Sequence, residues 1–184
     1  MTRESALHTT PREAVDPHTF RTVMSRFASG VTVITADDDR GDPRAMTVNA
    51  FISGSLDPPL CVVSIARRAN MHAVLAAAGR FAVNVLSREQ VDVAMHFGGR
   101  PRPGLRPHFA RILGVPVLTN VAAEMVAERV AAHECGDHTL FVGRLMHMAA
   151  DETRPPLVYH ARRFGRIVHE GEAGDEAVAV LEFW

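Results

Sequence analysis

The stretch that decides the fold is residues 46–64, which read MTVNAFISGSLDPPLCVVS. Over residues 46–53 apolar and polar side chains alternate, a period that predicts a strand with one face in the core. Residues 54–59 predict a turn, because glycine and aspartate favour turns and the two prolines have no N–H to donate to the hydrogen bonds of a sheet. Residues 60–65 are apolar apart from Ser64 and rich in β-branched side chains, which indicates a buried strand.

A row of small polar side chains lies within these otherwise apolar strands. Such a row can offer hydroxyl and amide groups to a planar polar ligand. The alternative, which the pattern alone favours, is the solvent-facing side of an antiparallel sheet. The row consists of Thr47, Asn49, Ser53 and Ser64.

The remaining chain predicts many short strands and few helices, which favours an antiparallel barrel over a strand–helix alternation. Asp16 caps a predicted helix that has proline at its first position and ends by Gly30. Asn70 caps a second predicted helix at residues 71–78, and the capping-box spacing of residues 87–90 begins a third. Further strands are predicted at residues 31–35, 81–86, 122–132 and 139–148, with a last strand that ends near Val168.

Composition limits the function classes. The 184 residues predict one domain, and a hydrophobic content of 47% is enough to form a core. A formal net charge of −1 gives no indication of a nucleic-acid or membrane surface. Two cysteines make no disulfide framework, and Cys61, in an apolar strand, is interpreted as a small buried residue. With no leader pattern and no long apolar span, a cytoplasmic protein is expected.

Three segments are expected along the chain. Residues 1–15 predict a loose polar arm, residues 16–168 the domain, and residues 169–184 a tail that begins acidic and ends apolar. The tail can dock on the domain or on a second subunit. Residues 98–107, rich in arginine, proline and glycine, predict a solvated loop, with contact to a partner or a nucleotide phosphate as the alternative.

One turn carries side chains of the kind that zinc prefers, namely His133, Cys135 and His138. Three candidates crowded into one turn lack a fourth ligand at standard spacing, so no metal is predicted. In the competing interpretation Gly136 and Asp137 shape the turn and His138 projects toward the ligand pocket. A lone histidine is by default a structural hydrogen bonder.

Five motifs in order resemble the flavin reductase-like family, the small partners of two-component flavin monooxygenases. The longest is M-T-V-N-A-F-x-S-x-S-L-D-P-P-L, which begins at Met46. The matches run from about residue 20 to residue 167 and so cover nearly all of the chain. The other four are FASGVTVIT at residues 27–35, FAVNVL at 81–86, GDH at 136–138 and PLVY at 156–159.

The resemblance implies a mainly β protein with a few short helices: a split antiparallel β-barrel of the FMN-binding type, which forms a homodimer. It implies an NAD(P)H:flavin oxidoreductase that transfers hydride from NADH or NADPH to FMN or FAD and supplies reduced flavin to a separate monooxygenase. One alternative is a tight flavin-binding protein of the same fold, a carrier or oxidase with little turnover. Another is a barrel that binds protein or nucleic acid without redox work.

The resemblance also implies the site. Hydride transfer between stacked rings requires no protein nucleophile, and the one expected catalytic residue is His138, on the side where the nicotinamide stacks. Arg67 and Arg68 precede a helix start that resembles the family's flavin-phosphate site. Ala69 and Asn70 replace the family's common Ser and Thr, and this leaves the choice between FMN and FAD open. The expected flavin contacts are Thr47, Val48, Asn49, Ala50, Ser53, Ser64, Ile65, Ala66, Asn70, Phe81 and Asn84.

Overall fold

The computed structural model describes residues 15–168. They form twelve strands, three α-helices and one turn of 3-10 helix at Arg88–Gln90. None of these helices is long and apolar enough to cross a bilayer. The helices are α1 (Pro17–Met24), α2 (Asn70–Ala77) and α3 (Val91–Phe97). The strands are β1 (Ser29–Gly30), β2 (Thr32–Asp37), β3 (Pro43–Val48), β4 (Phe51–Ser55), β5 (Leu60–Ala66), β6 (Arg80–Val85), β7 (Phe109–Ile112), β8 (Val115–Leu118), β9 (Ala123–Cys135), β10 (His138–Ala150), β11 (Val158–His160) and β12 (Arg163–Gly165).

Seven strands form one antiparallel sheet in the order β3-β2-β6-β9-β10-β5-β4. β3 and β4 are the two edges of this sheet, yet only Asn49 and Ala50 separate them in the chain. The three steps from Val48 to Phe51 span at most about 11 Å. The two edges must therefore lie close together, and the sheet must curl into an open barrel with its gap between β3 and β4.

This curling overturns one prediction. The single strand predicted over residues 46–53 is wrong, because the chain leaves one sheet edge after Val48 and enters the opposite edge at Phe51. The predicted alternation of faces is interrupted at the crossing. Ile52, predicted to face the core, is instead 62% exposed. The strand predicted over residues 60–65 is confirmed as β5.

The interior of the curled sheet is filled by apolar side chains from six of its strands and from α2. The largest are Phe81 and Phe141, each 1% exposed. Gly143 makes room for the ring of Phe81, because a Cβ at residue 143 would lie 2.7 Å from it. Close packing of this kind explains why a glycine lies in the middle of β10.

The outer surface of the sheet is covered in two places. α3 and the β11–β12 hairpin pack around Leu86 and Leu157, while the β7–β8 hairpin packs through Val115 and Val117. β6 therefore has buried side chains on both faces, which explains why the confirmed strand at residues 81–86 is apolar at every position except Asn84.

The helix predictions are partly confirmed. Asp16 caps α1, and its carboxylate accepts the amide of Thr19 at 2.8 Å. α1 ends at Met24, before the predicted end, and the next residues continue in turns that bond back three residues. The cap of α2 is corrected: Asn70 is the first helical residue, and Ala69 at the cap position offers no side-chain acceptor. The predicted tail, and the predicted arm apart from Val15, lie outside the described residues.

Candidate functional site

The crossing between the sheet edges forms the centre of the candidate site. Asn49 and Ala50 are both exposed there. Within residues 15–168 neither of their backbone N–H groups donates a hydrogen bond, while the carbonyl of Ala50 accepts the amide of Ser64 at 3.0 Å. Two unpaired N–H groups at an exposed crossing are donors for the polar edge of a ligand.

A cleft of about 730 Å³ opens beside this crossing, between β3, the start of α2 and the end of α3. Its volume lies in the range of ligand pockets. The cleft is lined by charged, polar and apolar side chains. The charged one is Arg44, whose guanidinium pairs with the Asp38 carboxylate at 2.7 Å and holds the pKa of that carboxyl below its usual range. Other lining residues are Met46, Thr47, Asn70, Phe97 and Gly98.

Thr47 fixes the end of α3 against β3. Its hydroxyl donates to the carbonyl of Ala94 at 2.8 Å. Gly98 ends α3 close to the same group, because a Cβ at residue 98 would lie 2.8 Å from the Ala94 carbonyl oxygen. Thr47 therefore lies on the cleft wall, but its hydroxyl is already engaged by the protein.

β5 connects the crossing to the predicted histidine. Ser64 and Ala66 lie half-buried on its outer face, and Ala66 is paired across the ladder with His138. Ile65 is fully buried in the barrel interior, so only its backbone faces the site. Ser53 is exposed on β4, opposite Cys61, and lines neither this cleft nor the crossing.

His138 is held in one orientation by its neighbour in the turn. Its Nδ1 lies 2.6 Å from a carboxylate oxygen of Asp137. Because a carboxylate only accepts, the ring donates its Nδ1–H there and presents Nε2 on its other side. The hydrogen bond from His138, with the nearby charge of Arg68 adding to it, lowers the pKa of Asp137.

Two predicted flavin contacts lie away from the site. Phe81 is part of the barrel interior. Asn84 is fully buried on the opposite face of β6, where its amide donates to the Val33 carbonyl at 2.8 Å and to the Thr35 hydroxyl at 3.0 Å. Its oxygen accepts the amide of Leu118 at 2.8 Å. Neither side chain can reach a ligand unless the core opens, so both are removed from the site as a correction.

Sequence reasoning missed part of the cleft wall. Arg44 and Phe97 come from the start of β3 and the end of α3, and only tertiary packing brings them together. The one sequence signal was the Gly98–Gly99 pair, which marks the end of a helix. Within residues 15–168 no group of three or more histidine, cysteine, aspartate or glutamate side chains is arranged to hold a metal ion.

Comparison with known proteins identifies the family. Residues 24–168 match the family described as flavin reductase like domain. The chain belongs to the flavin reductase-like family. One relative in this family is the NADH-dependent flavin reductase of Rhodococcus sp., which is 39% identical over 147 residues, covering 79% of this chain and 84% of the relative. Another is the reductase component of 4-hydroxyphenylacetate 3-monooxygenase of Thermus thermophilus, 38% identical over 152 residues, covering 81% of this chain and 95% of the relative.

Solved structures of flavin reductases agree with the fold. The flavin reductase PheA2 in its native state superposes with a TM-score of 0.80 at 34% identity, covering 84% of this chain and 99% of that chain. BorF, the flavin reductase component of a bacterial two-component tryptophan halogenase, gives a TM-score of 0.75 at 39% identity, covering 82% and 98%. The predicted family and the predicted mainly β, split-barrel fold are thereby confirmed.

Proposed function

We propose that this protein is an NAD(P)H-dependent flavin reductase that reduces exchangeable flavin and supplies it to a separate monooxygenase. The observation that carries the proposal is the pair of N–H groups at Asn49 and Ala50, which have no partner within residues 15–168 and lie beside a cleft of about 730 Å³. The names of the relatives support the reaction class, because they describe a flavin reductase and the reductase components of a monooxygenase and of a halogenase.

The residues at the crossing fit a flavin. When bound, FMN or FAD supplies the chemistry by accepting a hydride from the nicotinamide, which increases the negative charge on its pyrimidine edge. The N–H groups of Asn49 and Ala50 would donate to that edge and stabilise the charge. The start of α2 lacks a side-chain cap, and Arg67 and Arg68 just precede it, which suits the flavin phosphate.

His138 is the proposed catalytic residue on the nicotinamide side. With Nδ1–H bound to Asp137, its Nε2 is an acceptor for an N–H of the nicotinamide carboxamide. No proton transfer is required of it, because its task is to fix the angle at which the two rings meet. The other proposed contacts are Thr47, Val48, Ser64, Ala66, Asn70 and the backbone of Ile65. Ser53 is not among them, because it lines neither the cleft nor the crossing.

The proposal includes a homodimer. Within residues 15–168 nothing buries a residue of α1, although Phe20, Val23 and Met24 form an apolar face that is 56%, 63% and 55% exposed. An eight-residue helix is not stable alone in water, so this face needs a cover, which a second subunit provides. Phe20→Glu should convert the dimer into monomer in sedimentation velocity, and Arg21→Glu on the same helix should not. A monomeric wild-type protein would contradict this part of the proposal.

A cytoplasmic location is also proposed. Its support is that Cys61 and Cys135 are both free thiols, as expected in a reducing compartment. The proposal does not choose between NADH and NADPH or between FMN and FAD. The functional experiment compares these compounds directly.

The experiment is steady-state oxidation of NADH, followed by its loss of absorbance, with and without added FMN. Turnover that requires FMN and saturates with it is expected, and the assay is repeated with FAD and NADPH. Gel filtration of the flavin-loaded protein should remove the flavin, whereas a tight flavin-binding carrier or oxidase would retain it. A folded protein that oxidises neither nicotinamide with either flavin would contradict the proposed function.

A further inference from the structure

A cavity of about 440 Å³, which we call the β8 cavity, lies between the 3-10 turn, residues 105–108 and the end of β8. It shares no lining residue with the cleft beside the crossing. α3 separates the two, because Val93 lines the β8 cavity and Phe97, one turn further along the helix, lines the cleft. The β8 cavity is therefore a second space of the size that suits a small ligand.

Hydrogen bonds hold the three walls of the β8 cavity together. The side-chain oxygen of Gln90 accepts the amide of Ser87 at 3.1 Å, and its side-chain nitrogen donates to the carbonyl of Thr119 at 3.0 Å. The amide of Thr119 in turn donates to the carbonyl of His108 at 3.1 Å. The 3-10 turn, the end of β8 and residues 105–108 are thus fixed to one another by the protein itself. Walls that are fixed in advance lower the ordering cost of binding.

The β8 cavity has an excess of positive charge. Arg106 and Arg154 line it, together with one carboxylate, that of Glu89. The guanidinium of Arg88 pairs with Glu89 at 2.9 Å and holds the pKa of that carboxyl below its usual range. Arg154 is paired through its Nε with Asp151 at 2.9 Å, whereas Arg106 makes no hydrogen bond or ion pair with any described residue. One guanidinium of the wall is therefore available to an anion.

Much of the remaining wall is apolar. Leu118 is 2% exposed, and the side chains of Val93, Leu105 and Pro107 are partly buried. A phosphate ion would gain nothing from this part of the wall, because it has no apolar surface to bury. A guanidinium fork matches the planar geometry of a carboxylate. A carboxylate attached to a small apolar body therefore complements both parts of the wall.

We propose that the β8 cavity is a binding site for a small organic carboxylate. Its carboxylate binds Arg106, and its apolar body, an aromatic ring or a branched aliphatic group, packs against Val93 and Leu105. The site lies on the other side of α3 from the crossing, so its ligand and the flavin can be bound at the same time. The inference concerns a second ligand and does not rest on the proposed function.

The probe is benzoate, and its binding to the full-length protein is measured by isothermal titration calorimetry. A Kd of about 1 mM or below is expected for a ligand of this size. Benzyl alcohol has the ring without the charge and inorganic phosphate has the charge without the ring, so each should bind at least about tenfold more weakly than benzoate. Equal binding of benzyl alcohol would indicate an apolar pocket, equal binding of phosphate would indicate a simple anion site, and either result contradicts the proposal.

Variants then locate the bound benzoate. Arg106→Gln should weaken binding about tenfold, the usual range for a charge-assisted hydrogen bond. Leu105→Ala should weaken it by about threefold, because it removes apolar wall. The matched control is Arg40→Gln, in the exposed turn between β2 and β3, which should change binding less than about twofold. The proposal is overturned if the wild type does not bind benzoate or if Arg106→Gln binds it as tightly as the wild type.

Competition with flavin separates the β8 cavity from the site at the crossing. Saturation of the protein with FMN should change the Kd of benzoate less than about twofold, since the two ligands occupy different spaces. Displacement of benzoate by FMN would place it at the crossing and contradict the proposal. Arg106-dependent benzoate binding in a protein without reductase turnover would refute the proposed function and leave the assignment of the β8 cavity standing.

Discussion

Replacing Asn84 by alanine separates a structural residue from a flavin contact. Its side chain makes three buried hydrogen bonds, donating to Val33 and Thr35 and accepting from Leu118. Each contributes about 1 kcal/mol, and the Leu118 amide would be left without an acceptor. We expect the free energy of unfolding to fall by about 3 kcal/mol, which lowers Tm by about 6–12 °C for a chain of this size.

The assay combines thermal unfolding at fixed protein concentration with the KM for FMN, measured at a temperature where the variant is folded. Asn84→Ala should lower Tm and leave KM within about twofold of the wild-type value, because this side chain lies on the far face of β6. The matched variant is Asn49→Pro at the exposed crossing, which removes the backbone N–H proposed to bind the flavin and should raise KM. An Asn84→Ala protein with unchanged Tm and a raised KM would refute this reasoning.

Three further predictions follow from single contacts. Gly143→Ala places a methyl group 2.7 Å from the Phe81 ring and should lower the free energy of unfolding by about 2 kcal/mol in urea titration; wild-type stability would contradict the packing. Burial raises the pKa of the Cys61 thiol to about 11, so the thiolate is nearly absent at neutral pH and appears only as pH rises toward that value. Iodoacetamide should therefore modify the native protein at Cys135 alone, as mass spectrometry would show, and rapid modification of both would count against this burial. Thr47→Val removes the hydrogen bond that fixes α3 and should raise KM for FMN several-fold in the NADH assay, while Thr22→Val on α1 should not.

Local patterns predicted the parts of the fold that local physics decides. The cap of α1 at Asp16 and the buried strands β5 and β6 followed from residue type and periodicity. The crossing at Asn49 and Ala50 did not, because alternation continues through it and nothing local indicates that its two sides belong to opposite edges of a curled sheet. Ile52 was therefore assigned to the core although it is exposed.

The candidate site follows only in part from local sequence patterns, and its residues stay a prediction. The polar row and the family motifs indicated Thr47, Asn49 and His138, which the structure arranges around one crossing and one ladder. The motif of β6 also suggested Asn84, since a motif does not distinguish a residue that binds ligand from one that holds the strand. The cleft wall at Arg44 depends on packing between segments far apart in the chain.

The most direct test of the central claim is anaerobic reduction of free FMN, in large molar excess over the protein, by an equal amount of NADH. Loss of flavin absorbance reports the number of flavins reduced per subunit. The account predicts that nearly all of the FMN is reduced, with one NADH consumed for each flavin. Reduction that stops at one flavin per subunit would indicate a tight flavin-binding protein and contradict the account.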